Sequence, residues 1–321
     1  MSEYQSYEFV ALDRPLTAKQ MGELRAVSKR AEISPTRFWN EYHWGDLKAD
    51  PAKLVARYFD AFVYFANWGT QRLMFRIPKA QVDVKALRPY FVGGPAARLT
   101  SAGGHVVLDL TSDPEDPDAE SEGSLAALSP VRAELMRGDL RPAYLAWLLA
   151  VQNDDIDEEN AEPLVPAGLA QLTAAQQAMV EFLRIDVHLI AAAAGASATA
   201  VDDRKPFQRW VKGLSAKEKE AWLRRAADAP DLALGGELLR VFSATSKGQH
   251  VDPHRTVAEL RALAVARRVG RERTSAARAK PATSRAAKKA RQKPAGNDLT
   301  TNRKRRDRNT WMTLRSPGHS I

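Results

Sequence analysis

The sequence contains no cysteine among its 321 residues. This absence excludes disulfides, thiolate nucleophiles, cysteine-based zinc sites and iron–sulfur clusters. The chain also lacks any run near the roughly 18–20 consecutive apolar residues that cross a bilayer. Its first nine residues, MSEYQSYEF, lack the cationic start and apolar core of a secretory signal. We therefore expect a cytoplasmic protein that does not associate with membranes.

Common motifs of nucleotide binding and nucleophilic catalysis are absent as well. There is no G-x-x-x-x-G-K-[ST] loop, no G-x-G-x-x-G after a predicted strand and no G-x-S-x-G elbow. The glycine pairs Gly93-Gly94 and Gly103-Gly104 are better interpreted as tight turns. The sequence predicts no cofactor, and it favours a binding protein over an enzyme.

Charge is distributed very unevenly along the chain. Residues 261–321 carry 18 Lys+Arg and 3 Asp+Glu, a net charge of +15, whereas residues 1–260 carry 30 and 36, a net charge of −6. A mildly acidic body is therefore followed by a strongly basic C-terminal segment.

The first third of the chain predicts an α+β domain over residues 1–112, with a mixed or antiparallel sheet and two or three helices on one face. Residues 4–12 suit an opening strand, and Asp50-Pro51 suits the start of a helix. Two hairpins are predicted, one joining 62–66 to 72–77 and one joining 97–100 to 106–110. Thr17 and Gln20 have the spacing of a helix capping box.

The rest of the chain changes character twice. Residues 113–123 are acidic and rich in proline, which predicts a linker. Residues 124–266 show helical periodicity and a second capping box, Thr173 with Gln176, so we expect a helical bundle. Residues 267–321 have almost no large aliphatic side chains and predict a low-complexity tail that is disordered or a solvated helix.

The best polar constellation is the segment NEYHWGD, which holds Glu41, His43 and Asp46. On a strand, Glu41 and His43 point to the same face, and Asp46 follows in a turn. These side chains could act as acid and base or bind a metal, which would suit a metal-assisted hydrolase. The alternative is a surface strand whose aromatic residues pack and whose polar residues face solvent, and we prefer it.

The tail offers a different chemistry. Polycations bind nucleic acid by displacing condensed counterions, without contacts to the bases. The predicted binding residues are the densest cations of the tail: Arg285, Lys288, Lys289, Arg291, Lys293, Arg303, Lys304, Arg305, Arg306 and Arg308. A solubilising tail, or a C-terminus altered by truncation or a frameshift, is the alternative interpretation.

The stretch PTRFWNEYHWGDLKADPAKLVARYFDAFVYFANWGTQRLMFRIP and, more weakly, RGDLRPAYLAWLLAVQNDD resemble an uncharacterised family of bacterial proteins. With the opening strand, the resemblance covers roughly the first half of the chain. It implies a bacterial cytoplasmic protein and carries no activity, cofactor or catalytic residue. Members of that family continue past the bundle as an amphipathic helical region, from which this basic tail departs.

These observations lead to one hypothesis and one alternative. The hypothesis is a non-enzymatic binding or accessory protein whose basic tail binds nucleic acid non-specifically and whose helical faces suit a protein partner. The alternative is a metal-assisted hydrolase that uses Glu41, His43 and Asp46.

Overall fold

The computed structural model describes residues 3–113, 123–198, 204–228, 234–245 and 255–273. The chain divides into two units, residues 1–271 and residues 272–321. The architecture below is that of the first unit, which combines one sheet with helices on both of its sides.

The sheet has seven strands, and each described pairing is antiparallel. The strands lie in the order β2-β3-β1-β4-β5-β7-β6. Their bounds are β1 Gln5–Val10, β2 Glu32–Ile33, β3 Arg37–Tyr42, β4 Ala61–Ala66, β5 Gln71–Pro78, β6 Ala97–Ala102 and β7 His105–Ser112. The opening strand and both hairpins predicted from the sequence are confirmed.

Twelve helices can be delimited in the described ranges. Their bounds are α1 Ala18–Val27, α2 Pro51–Tyr58, α3 Val84–Leu87, α4 Leu125–Leu128, α5 Pro130–Met136, α6 Arg141–Gln152, α7 Ala174–Phe182, α8 Val187–Ala194, α9 Arg204–Gly213, α10 Ala216–Asp228, α11 Leu234–Thr245 and α12 257–273. Short 3-10 turns flank α3 at Lys79–Gln81 and Arg88–Tyr90. No helix in the described ranges is long and apolar enough to cross a membrane.

Local sequence signals place several of these helices. The side chain of Thr17 accepts a hydrogen bond from the backbone N–H of Gln20, whose own side chain returns to Thr17 and completes a capping box. Thr173 and Gln176 form the same arrangement before α7. Asp50 caps α2, with proline at the first helical position. These three predicted helix starts are confirmed.

The two sides of the sheet bury different kinds of side chain. On the side covered by α1 and α2, the core is largely aromatic, with Phe9, Phe38 and Phe62 fully buried. On the opposite side, α4 to α8 and the first half of α12 cover a larger, mostly aliphatic cluster. Residues of the predicted domains 1–112 and 124–266 therefore share one hydrophobic cluster, and most of the predicted linker, residues 114–122, lies outside the described residues.

Buried charges fasten the helical layer to the sheet. The guanidinium of Arg132 on α5 is 4% exposed; it donates to both carboxylate oxygens of Asp13 and to the backbone carbonyl of Arg76. Arg76 in turn donates to Asp60, which also accepts hydrogen bonds from the backbone after β1. Because each buried charge has a partner, the pairs fix the position of α5 on the strands without leaving an unpaired ion.

Candidate functional site

An open groove lies on the α1/α2 side of the sheet, between the start of α2 at Pro51 and the turn at Pro95 that precedes β6. Its volume is about 450 Å³. That is within the roughly 300–1,000 Å³ that small-molecule sites occupy. We call it the sheet groove.

Strand register builds the floor of the sheet groove. Tyr7 on β1 pairs with Tyr64 on β4, Tyr64 pairs with Arg72 on β5, and Arg72 pairs with Thr111 on β7. Directly paired residues project from the same face of a sheet, so these four side chains form one continuous row across four strands. Phe62 stands in the neighbouring row, where its fully buried ring packs against Tyr7 and supports the aromatic floor that the two tyrosines form.

A hydrogen-bond network joins the hydroxyls of the two floor tyrosines to Gln5. The hydroxyls of Tyr7 and Tyr64 both donate to Oε1 of Gln5, each at 2.9 Å. Nε2 of Gln5 donates to the carbonyl of Gly45 at 2.8 Å and to Oδ1 of Asp46 at 2.7 Å. We call these four side chains, Tyr7, Tyr64, Gln5 and Asp46, the groove network.

Burial moves the pKa of both groove tyrosines further above neutral pH. It raises the pKa of Tyr7 to about 12, with the negative charge of Asp46 contributing. Burial also raises the pKa of Tyr64 above its ordinary value, and the neighbouring Tyr7 adds to that increase. Both hydroxyls therefore remain neutral donors at neutral pH, and neither is poised as a base or nucleophile.

The two arginines of the sheet groove differ in how far their charge is compensated. Arg72 donates from Nε and Nη2 to the two carboxylate oxygens of Asp109, both at 2.7 Å, which is the bidentate geometry of a strong ion pair. Arg98 is exposed at the rim. In the described part of the chain, its side chain makes one long hydrogen bond, from Nε to the carbonyl of Gly94 at 3.4 Å.

The structure does not join Glu41, His43 and Asp46 into one site. Glu41 is an exposed residue of β3 that alternates with buried Asn40 and Tyr42. The His43 ring packs against Tyr4, with 5.5 Å between ring centroids. Asp46 instead joins the groove network. Across the described ranges, no hydrogen bond or ion pair connects any two of the three.

The described residues do not assemble a metal site either. Among the residues that the structure describes, no group of three or more His, Asp or Glu side chains is placed to hold a metal ion. The metal-assisted hydrolase suggested by Glu41, His43 and Asp46 therefore has no geometric support there.

The basic C-terminal region begins inside the described residues, on α12. The first half of this helix is fixed to the body: Val257, Leu260 and Ala264 are buried. Its later residues Arg267 and Arg271 are exposed and lie four positions apart, on one face of the helix. The ten predicted nucleic-acid-binding residues, Arg285 to Arg308, lie outside the described residues.

A second basic surface lies on α9. Lys205, Arg209 and Lys212 are exposed and follow the i, i+4, i+7 spacing of one helix face. Phe207 and Trp210 occupy the other face, where their rings stack at 5.9 Å between centroids and both contact Phe242 of α11. This amphipathic pattern is visible in the sequence, and it could have identified the basic face.

The sheet groove was missed from the sequence for a different reason. Tyr7, Tyr64, Arg72 and Arg98 come from four strands, and no short motif connects them. The predicted hairpin around residues 67–70 would have paired Tyr64 with Arg72, but it gave no indication that β1 and β7 flank them.

The comparisons with known proteins give this chain no relatives to argue from. Scans against protein-family models, curated proteins and solved structures returned no significant match. The candidate functions therefore depend on the geometry and the charge distribution alone.

Proposed function

We propose that this chain is a non-enzymatic accessory protein that binds nucleic acid through its basic C-terminal region, without sequence specificity. The observation that carries the proposal is the separation of charge: +15 over residues 261–321 against −6 over the preceding 260 residues. Such a distribution directs the C-terminal region toward a polyanion and repels the body from it.

The anchoring of α12 supports a functional role for this charge. Arg255, just before the helix, donates from Nε and Nη2 to the two oxygens of Glu162, at 2.7 and 2.8 Å. Thr256 and Glu259 form reciprocal capping bonds at the helix start. A helix held this firmly at its beginning presents Arg267 and Arg271 at a fixed place on the body.

The electrostatics also explain why sequence specificity is not expected. Contacts from Lys and Arg to phosphates position a protein on a duplex but carry no information on base identity. The segment 267–321 contains a single aromatic residue, Trp311, so it lacks the repeated rings that stack on single-stranded bases. We therefore expect similar affinity for unrelated sequences of equal length.

The test is fluorescence anisotropy of the full chain with labelled duplex DNA at several salt concentrations. If six to ten cations meet phosphates, the affinity should fall roughly 10³–10⁵-fold between 50 and 200 mM salt. A variant with the ten tail positions from Arg285 to Arg308 changed to Gln should lose most of the affinity and most of the salt dependence.

Two matched variants locate the contact surface. Lys205→Gln/Arg209→Gln/Lys212→Gln removes the basic face of α9, and Arg267→Gln/Arg271→Gln removes the exposed pair on α12. The proposal expects the tail variant to lower the affinity for DNA the most and Arg267→Gln/Arg271→Gln to lower it less. If the tail variant binds DNA as tightly as the unchanged chain, the tail is not the nucleic-acid-binding region and the proposal is wrong.

A further inference from the structure

We propose that the sheet groove binds a small aromatic carboxylate, with its ring on the tyrosine floor and its carboxylate at Arg98. This inference is independent of nucleic-acid binding, because the groove and the basic C-terminal region share no residue.

The aromatic floor of the sheet groove favours a ligand that contains an aromatic ring. The rings of Tyr7 and Tyr64 lie 4.8 Å apart between centroids at an interplanar angle of 51°, and Phe62 lies 6.4 Å from Tyr7. Phe62 is fully buried and Tyr7 is 7% exposed, so Tyr64 is the ring of this set that offers the most surface to a further ring. An aromatic ligand gains edge-to-face and offset contacts here in addition to the burial of its apolar surface.

The hydroxyls of the floor do not determine the charge of the ligand. A tyrosine hydroxyl has one proton to donate. Both Tyr7 and Tyr64 already donate that proton to Oε1 of Gln5. A ligand anion placed on the tyrosines would therefore find no free tyrosine hydroxyl to donate to it, whereas Arg98 offers a charged donor at the rim.

Arg98 is the cation that remains available at the rim. Arg72, the other guanidinium in the groove, is neutralised by its two hydrogen bonds to Asp109. Asp50 and Asp113 accept hydrogen bonds from neutral donors, the backbone N–H of Ala52 and the hydroxyl of Thr70, and so keep their negative charge, which means that an anionic group must meet Arg98 itself. Of the two groove arginines, Arg98 is the one that makes no hydrogen bond to a carboxylate in the described part of the chain, so it is the group that can pair with the single negative charge of a ligand.

The form of the guanidinium favours a carboxylate as the anionic group. A guanidinium presents paired N–H donors in a planar fork that matches the two oxygens of a carboxylate. The hydrogen bond from Arg98 to Gly94 is long, at 3.4 Å, and therefore weak. A bidentate carboxylate that replaces it gives up little hydrogen-bond energy. The structure therefore combines an aromatic floor and a single carboxylate-binding group in one groove.

The experiment compares 2-naphthoate with 2-naphthamide, two probes that share a ring system and differ in charge, by isothermal titration calorimetry on the full chain. A charge-assisted hydrogen bond contributes enough for naphthoate to bind roughly tenfold more tightly than the amide. Arg98→Gln should abolish this difference. Arg88→Gln is the matched control, because Arg88 is an exposed arginine that lines a separate cavity beside Phe91 and Leu99.

A second variant tests the aromatic floor. Tyr64→Leu should weaken naphthoate and naphthamide by the same factor, since it removes a ring and leaves Arg98 in place. Far-UV circular dichroism and unfolding midpoints verify that each variant is folded. The proposal is overturned if the two probes bind equally, if Arg98→Gln leaves naphthoate binding unchanged, or if neither probe shows saturable binding at millimolar concentration.

Discussion

Two tyrosine networks lie on opposite sides of the sheet, and they differ in how far solvent reaches them. On the α4–α8 side, the hydroxyl of Tyr144 donates to Glu162, which also accepts two hydrogen bonds from Arg255. The Glu162 side chain is completely buried there. On the α1/α2 side, the groove network ends in the exposed Asp46 and adjoins open space.

This difference in solvent access indicates different roles: the closed network stabilises the fold, and the groove network lies where a ligand can bind. The network of Tyr144, Glu162 and Arg255 has its main polar groups paired within the protein, so its effect is to hold α12 against the body. The groove network also satisfies its own donors, but two of its members, Tyr7 and Tyr64, line the open groove. Removing one partner from a network of buried charges lowers stability strongly, because the other charge is left buried and unpaired. A network that solvent reaches loses less stability, because water can replace the missing partner.

Removing the central carboxylate of the closed network should have the largest effect on stability. Glu162→Ala leaves Tyr144 without its acceptor and Arg255 without its counter-charge. We expect the free energy of unfolding to fall by about 3–5 kcal/mol, as for other broken buried ion pairs. Urea unfolding followed by circular dichroism measures this loss.

The control for this prediction is Glu159→Ala, three residues earlier in the same loop. Glu159 is exposed. Exposed substitutions of this kind normally change stability by no more than about 0.5 kcal/mol. Similar losses in the two variants would show that the closed network does not anchor the chain, and the distinction between the two networks would then be lost.

The sequence predicted what depends on neighbours along the chain. The helix starts at Thr17 and Asp50 follow from side chains that cap the backbone within three residues, and the turn of residues 67–70 identifies the hairpin of β4 and β5. It did not predict that β1 lies between β3 and β4, because that placement depends on pairing between distant segments. The sheet groove requires this order, so local patterns could not reveal it.

The local nature of sequence patterns also explains why the polar residues between 41 and 46 do not form one site. Along β3, the exposed Glu41 alternates with the buried Asn40 and Tyr42. The strand ends at Tyr42, and the turn that follows carries Asp46 to Gln5. Strand periodicity does not extend through a turn, so three residues that are close in sequence point to different surroundings.

High pH should probe the groove network through a smaller effect on stability. The pKa of Tyr7 is raised to about 12 from its ordinary value of 10.0. Above pH 10 the unfolded chain releases this proton while the folded chain retains it, so stability that is present below pH 10 is lost as the pH rises to about 12. One such group contributes a slope of up to about 1.4 kcal/mol per pH unit.

Tyr7→Phe isolates this contribution from the other ionising groups. The variant should show a shallower loss of stability than the unchanged chain between pH 10 and 12, in chemical unfolding measured at closely spaced pH values. Parallel curves for the two proteins would mean that Tyr7 ionises normally and that its hydroxyl is not held in the groove network.

The smallest effects are expected at the two carboxylates that the sequence grouped together. Asp46→Ala removes the acceptor of a 2.7 Å hydrogen bond from Gln5, which should cost about 1 kcal/mol of unfolding free energy. Glu41→Ala changes an exposed strand residue and should alter stability by less than about 0.5 kcal/mol. Both values come from urea unfolding at neutral pH, where the two carboxylates can be compared directly.

Since Asp46 connects to the groove tyrosines through Gln5 and Glu41 does not, only Asp46→Ala should also change the affinity for 2-naphthoate. Equal losses of stability and affinity in both variants would instead show that Glu41 and Asp46 act as one site, as their spacing in the sequence first suggested.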